Sequence, residues 1–114
     1  MGKRTDALQG TLDLLILKTL LLGPQHGYGI ATRIERISDD ALRVEEGSLY
    51  PALHRMEQAG WIAAKWGMTE NKRRARFYRI TPLGRRRVGE EEERWNRLIE
   101  AVGKVLRVAW EDGR

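Results

Sequence analysis

The chain has 114 residues, 41% of them hydrophobic and 32% charged, which is enough apolar content for a folded domain and too much for a disordered chain. Lys and Arg number 21 against 16 Asp and Glu, giving a net charge of +5 and a pI of about 10.0, a balance that favours a polyanionic partner such as nucleic acid or an anionic surface. The absence of cysteine excludes disulfides and thiolate metal sites and fits a reducing, cytoplasmic setting.

The first predicted element is a helix over residues 8–22. Leucines and Ile16 cover nearly every face of it, so it is expected to be buried on more than one side, in part by another chain. Its apolar run, TLDLLILKTLLLG, is about half of what a bilayer span needs and is interrupted by Asp13 and Lys18, so no membrane association is expected. Gly23-Pro24 stops the helix. The second helix is predicted over residues 28–38, with Ile30, Ile34 and Ile37 as one core-facing stripe and Gly27 and Gly29 flanking Tyr28. Asp39-Asp40 marks a turn, and LRVE a short extended piece.

The third helix is expected to begin near Gly47-Ser48 and to end at Gly60, a left-handed cap. Leu49, Ala52, Leu53 and Met56 form its buried stripe. WIAAKWGMTENKRRARFYRIT then alternates aromatic and β-branched residues around a polar centre, which predicts two antiparallel strands, residues 61–68 and 75–80, joined by a longer turn. Thr81 is the expected N-cap of a last helix with Pro82 in its first turn, running to about Trp110. In a heptad frame Val88, Trp95, Val102 and Ala109 share one seam position and Leu98 and Val105 the other, with Ile99 and Leu106 alongside. So long a stripe exceeds what one small domain covers, and it predicts pairing with another helix.

Three helices, a β-hairpin and a long helix make a mainly α chain with a small hairpin: a winged helix-turn-helix over residues 1–81 followed by a dimerisation helix over residues 82–114. Within it, the third helix turns Gly47, Pro51, His54 and Gln58 away from its buried stripe, flanked by Ser48, Tyr50 and Arg55. Pro51 is expected in the first turn, where the amide has no intrahelical partner. Such a helix start favours phosphate and is the part of a recognition helix that enters a major groove. Taken alone, an ordinary solvated face fits the same pattern. The hairpin weighs against that reading: Lys65, Lys72, Arg73, Arg74, Arg76 and Arg79 face only Glu70 as acid, and Asn71 to Arg74 at its tip are placed to reach phosphates or a minor groove.

Trp61 and Trp66 read as hairpin packing. Trp95 sits mid-seam and reads as dimer packing or as an aromatic plate lining a small-molecule cavity between subunits. Catalysis is not expected. The two histidines, His26 and His54, stand apart, Asp39-Asp40 and Glu45-Glu46 are adjacent pairs rather than facing dyads, and GYG lacks the strand and spacing of a phosphate cradle. No metal site and no cofactor are expected.

The stretches LQGTLDLLILKTLLLGPQHGYGIATRI, GSLYPALHRMEQAGWIAAKWG and ENKRRARFYRITPLGR closely resemble the PadR family of bacterial transcriptional regulators, over almost the whole chain from Leu8 to about Trp95. The short total length resembles the small subfamily with a single C-terminal helix. The resemblance implies a cytoplasmic homodimer, paired through its first and last helices, that binds a palindromic operator in double-stranded DNA, commonly as a repressor, with release by a small aromatic or amphipathic effector in some members. Carried onto matching positions, it implies DNA contacts from Ser48, Tyr50, Pro51, His54 and Arg55 on the third helix, Tyr28 on the second, and Lys72, Arg73, Arg74 and Arg76 on the wing, with Trp95 as the effector position to compare. Met56 departs from the leucine common there. The competing expectation is a winged-helix protein-interaction module that binds no DNA.

Overall fold

A computed structural model describes the backbone of residues 2–108 and the side chains of residues 10–108. The elements follow in the order α1 (Gly2–Leu20), β1 (Gln25–His26), α2 (Gly27–Ile37), α3 (Glu46–Gln58), β2 (Ile62–Met68), β3 (Arg74–Ile80) and α4 (Pro82–Leu106). The architecture is mainly helical, with one small antiparallel sheet of strand order β1-β3-β2. Ala109 and Trp110, which the heptad frame includes, lie outside the described residues.

The core forms where α1, α2 and α3 meet the inner end of the hairpin. Leu12, Ile16, Leu17 and Leu20 of α1 pack with Ile30 and Ile34 of α2, with Leu49, Ala52, Leu53 and Met56 of α3, and with Ile62, Tyr78 and Ile80 of the sheet. The α3 stripe is therefore buried as its spacing requires. The α2 stripe is shorter than expected: Ile37, in the last position of the helix, is exposed. Beyond it the chain turns through Asp39 and Asp40, both at positive φ of 53° and 65°, a conformation that Asp tolerates better than most residues.

The end of α3 is a Schellman motif. The Gly60 amide donates to the Glu57 carbonyl and the Trp61 amide to the Met56 carbonyl, both at 3.0 Å, with Gly60 at φ +82°. Strand β1 is an addition to the expected elements. Two residues carry no alternation to read, and β1 forms only because Gln25 and His26 pair with Tyr78 and Phe77 of β3. His26 also caps α2, its Nδ1 accepting from the Gly29 amide at 3.1 Å.

Thr81 caps α4 as expected, accepting from the Gly84 amide at 3.1 Å. Only the first turns of α4 rest on the core, where Gly84 and Val88 are buried. The rest projects, which gives the molecule its extents of 62 × 28 × 27 Å. Along the projecting part Leu98, Ile99, Val102, Val105 and Leu106 are exposed, so the predicted apolar stripe exists and is uncovered within one chain. Among the described residues no helix is long and apolar enough to cross a membrane.

The α4 start is tightly packed. A Cβ on Gly84 would stand 2.1 Å from the Trp61 carbonyl oxygen and 2.8 Å from Ile80 Cγ1, and that carbonyl is held in place by the Thr81 amide at 3.0 Å. Gly84→Ala is expected to destabilise the fold by about 1–3 kcal/mol, as overpacking does, measured as a lower urea midpoint at unchanged slope. An unchanged midpoint would show that the corner can open without cost.

Candidate nucleic-acid interface

Helix α3 shows one face to the core and the other outward. Pro51, His54 and Gln58 are exposed together with Gly47, and Ser48 is half-buried. Helix α3 begins at Glu46, with Glu45 as N-cap, so Pro51 stands in the second turn and not the first. It therefore removes a hydrogen bond that would have ended on the Gly47 carbonyl. The correction matters locally: the Gly47 carbonyl loses its helical donor, at a residue whose own surface is exposed.

Tyr50 lies between α3 and α2. Its ring rests on the α2 start so closely that a Cβ on Gly27 would be 2.7 Å from Tyr50 Cε1. Arg55, on the opposite flank, is tied to α1: its Nη2 is 2.7 Å from Asp13 Oδ1. Burial pushes the Asp13 carboxyl above the ordinary range, and the Arg55 guanidinium offsets only part of that. The pair is thus a joint between α1 and α3, made with some of Arg55's donor capacity.

The wing turn is compact. The Thr69 amide donates to the Arg73 carbonyl at 2.8 Å, the Lys72 amide to the Thr69 carbonyl at 2.9 Å, and Thr69 Oγ1 accepts from the Arg73 amide at 3.1 Å. Lys72 occupies the left-handed region at φ 63°. The turn holds Asn71, Lys72 and Arg73 exposed at the tip.

Between the wing and the α2 start runs an open groove of about 1070 Å³, lined by Tyr28, Tyr50 and the wing from Met68 to Tyr78 except Lys72. Its charged lining is Arg33, Arg36, Arg73, Arg74 and Arg76 against Glu70, so its potential is positive. Two of these arginines are already committed. Arg33 donates to the carbonyls of Thr19 and Gly23, each at 3.0 Å. Arg76 Nη2 is 2.7 Å from Glu57 Oε2, and its guanidinium carbon is 5.8 Å from the Tyr78 ring centroid. Arg36, Arg73 and Arg74 have no carboxylate partner among the described residues.

Of the residues expected from sequence, the groove unites Tyr28, Tyr50, Arg73, Arg74 and Arg76. Ser48, Pro51, His54 and Arg55 belong to α3 outside it, and Lys72 to the wing tip. Arg36 joins the groove without having been expected there. Its only sequence signal is a basic residue on the polar face of α2, and its place at the groove comes from packing. Trp61 is half-buried, with Arg87 stacked at 4.8 Å from its ring centroid, in keeping with a packing role. Trp66 is more exposed than packing requires. Trp95 lies apart on α4, 39% exposed. No group of three or more His, Cys, Asp or Glu is placed to hold a metal among the described residues.

The transcriptional regulator PadR-like family profile matches residues 16–90. A transcriptional regulator from Clostridium thermocellum superposes with a TM-score of 0.78 at 33% identity, covering 87% of this chain and 96% of that one. A PadR family transcriptional regulator from Eggerthella lenta superposes with a TM-score of 0.73 at 31% identity over 95% and 93% of the two chains. A transcriptional regulator of Mycobacterium tuberculosis is 34% identical over 68 residues, 60% of this chain and 63% of that one. With its profile match, its winged-helix architecture and these relatives in agreement, the chain belongs to the PadR-like family of transcriptional regulators.

Proposed function

We propose that the chain is a homodimeric, sequence-specific DNA-binding repressor. The observation that carries the reading is the arginine-lined groove beside the outward face of α3: three of its arginines lack a carboxylate partner among the described residues, next to a helix face with small and planar residues. Lys72, Arg73, Arg74 and Arg36 contact phosphates and supply affinity at any sequence. Ser48, Pro51 and His54 meet base edges, and Tyr50 and Tyr28 bridge from the helix to the backbone of the same strand. Arg55 and Arg76 spend part of their donors on Asp13 and Glu57, so they orient α3 and the wing and reach phosphates with what remains.

The dimer forms through α4 and α1. Its support is the uncovered stripe from Trp95 to Leu106, which a second copy of the same helix would bury. A two-fold axis through that seam sets two copies of α3 in successive major grooves, about 34–36 Å apart. Residues 1–81 act as the DNA-binding unit and residues 82–114 as the dimerisation helix. Trp95, half-open in the middle of the seam, is where a small aromatic effector meets the paired helices and loosens the grip on DNA.

Three measurements test this reading. The parent protein should scatter light with about twice its chain mass of 13.2 kDa, and Leu98→Glu with Ile99→Glu should give the monomer mass; a monomeric parent at micromolar concentration removes the seam. Replacing Arg73 and Arg74 by Ala should weaken binding to every duplex and flatten the salt dependence by about 0.9 for each phosphate no longer neutralised. Equal affinity at low salt would take the wing out of the interface. His54→Ala should cost about 1–3 kcal/mol on a duplex from the region upstream of the protein's own gene and much less on a scrambled one. An equal loss on both would contradict base reading by α3.

A further inference from the structure

On the outer part of the wing Trp66 keeps 57% of its surface exposed and Met68 61%. Cross-strand register sets Trp66 opposite Arg76 and Met68 opposite Arg74, so these four side chains leave the same face of the hairpin. It is the face whose inner end, Ile62, Tyr78 and Ile80, is buried in the core. The outer end has no core left to cover. There the Arg74 guanidinium carbon lies 4.8 Å from the centroid of the Trp66 ring. Arg76, on the same face, is neutralised by Glu57. Arg74 has no carboxylate partner among the described residues. Arg74 lines the groove, and Trp66 does not.

From this arrangement we infer that Trp66 is a positioning residue for DNA binding. Its indole holds the Arg74 guanidinium at the groove, ready for a phosphodiester oxygen of double-stranded DNA. Stacking on a ring uses the flat face of a guanidinium and leaves the N–H donors around its edge free. A free arginine must lose rotamer freedom on meeting a phosphate, and one already held on an indole loses less. A tryptophan kept in water for hairpin packing alone would gain little, because more than half of its surface is not packed. This role deepens the proposal that the wing meets DNA and rests on it.

The test is a double-mutant cycle on the full chain with a fluorescent duplex, titrated at several salt concentrations. Trp66→Ala should weaken binding about two- to fivefold, the range of an exposed cation–π contact. Trp66→Phe, which keeps a ring face, should recover most of that loss with an unchanged melting temperature. Arg74→Ala should weaken binding more and flatten the salt slope by about 0.9. In the Arg74→Ala background, Trp66→Ala should then add nothing. Undiminished binding by Trp66→Ala, or the same loss in both backgrounds, overturns the positioning role and leaves the DNA reading standing. A parent protein that binds no duplex at low salt overturns both.

Discussion

The hydroxyl of Thr81 joins three elements at one point, and it helps set how they meet beside the candidate interface. The oxygen lies 2.6 Å from the Gly60 carbonyl and 3.0 Å from the Trp61 carbonyl, which share its one proton as acceptors, while it accepts from the Gly84 amide. Gly60 ends α3, Trp61 leads into β2, and Gly84 belongs to the first turn of α4. The Thr81 amide adds a bond to the same Trp61 carbonyl at 3.0 Å. The exit of the α3 helix, the root of the wing and the departure of the long helix are therefore held in one rigid corner, packed so closely that Gly84 has no space for a side chain. In the proposed dimer this corner would translate the seam geometry into the spacing of the two recognition helices.

Arginine is used in two different ways around the candidate interface. Arg33, Arg55 and Arg76 are built into the fold: Arg33 on the carbonyls at the end of α1, Arg55 on Asp13, and Arg76 on Glu57. Each links an element of the helix-turn-helix to a neighbour, and each loses some capacity for an outside ligand. Arg36, Arg73 and Arg74 keep their charge uncompensated by any carboxylate among the described residues. A phosphate binds most strongly where positive charge is neither neutralised nor free to wander. The Trp66 ring meets the second requirement for Arg74, while for Arg73 the compact turn fixes the backbone from which its side chain leaves. The partly buried Asp13 carries a desolvation penalty that the Arg55 pair offsets only in part, so the α1–α3 joint is better understood as an orienting contact than as a source of stability.

Much of the fold is legible in the sequence because it rests on local rules. The spacing of Leu49, Ala52, Leu53 and Met56 marks the buried side of α3, Gly60 its end, Thr81-Pro82 the start of α4, and the alternation around Lys72 to Arg74 the hairpin. Where local rules compete, expectation and structure part. Pro51 looks like a first-turn residue because Gly47-Ser48 resembles a helix start, yet Glu45 takes the N-cap position ahead of it, which puts Pro51 in the helix interior. Ile37 fits the α2 period, but burial needs a facing partner, and at the last residue of that helix the side chain stays exposed. Trp66 shares the hairpin face of Ile62, Tyr78 and Ile80, yet it lies farther out along the wing and stays exposed, which periodicity alone does not show.

By itself the sequence determined the order of the four helices and the hairpin, the buried stripe of α3, the basic wing and the family, since each is written in short-range periodicity or in a contiguous motif. Tertiary structure alone decided which charges are available. Lys, Arg, Asp and Glu look equally free in a string of letters, and ion pairing depends on side chains that meet from positions far apart, as Asp13 meets Arg55 and Glu57 meets Arg76. The same holds for Arg36, drawn from the polar face of α2 to the rim of the groove, and for β1, two residues made into a strand by the neighbour that supplies their hydrogen bonds.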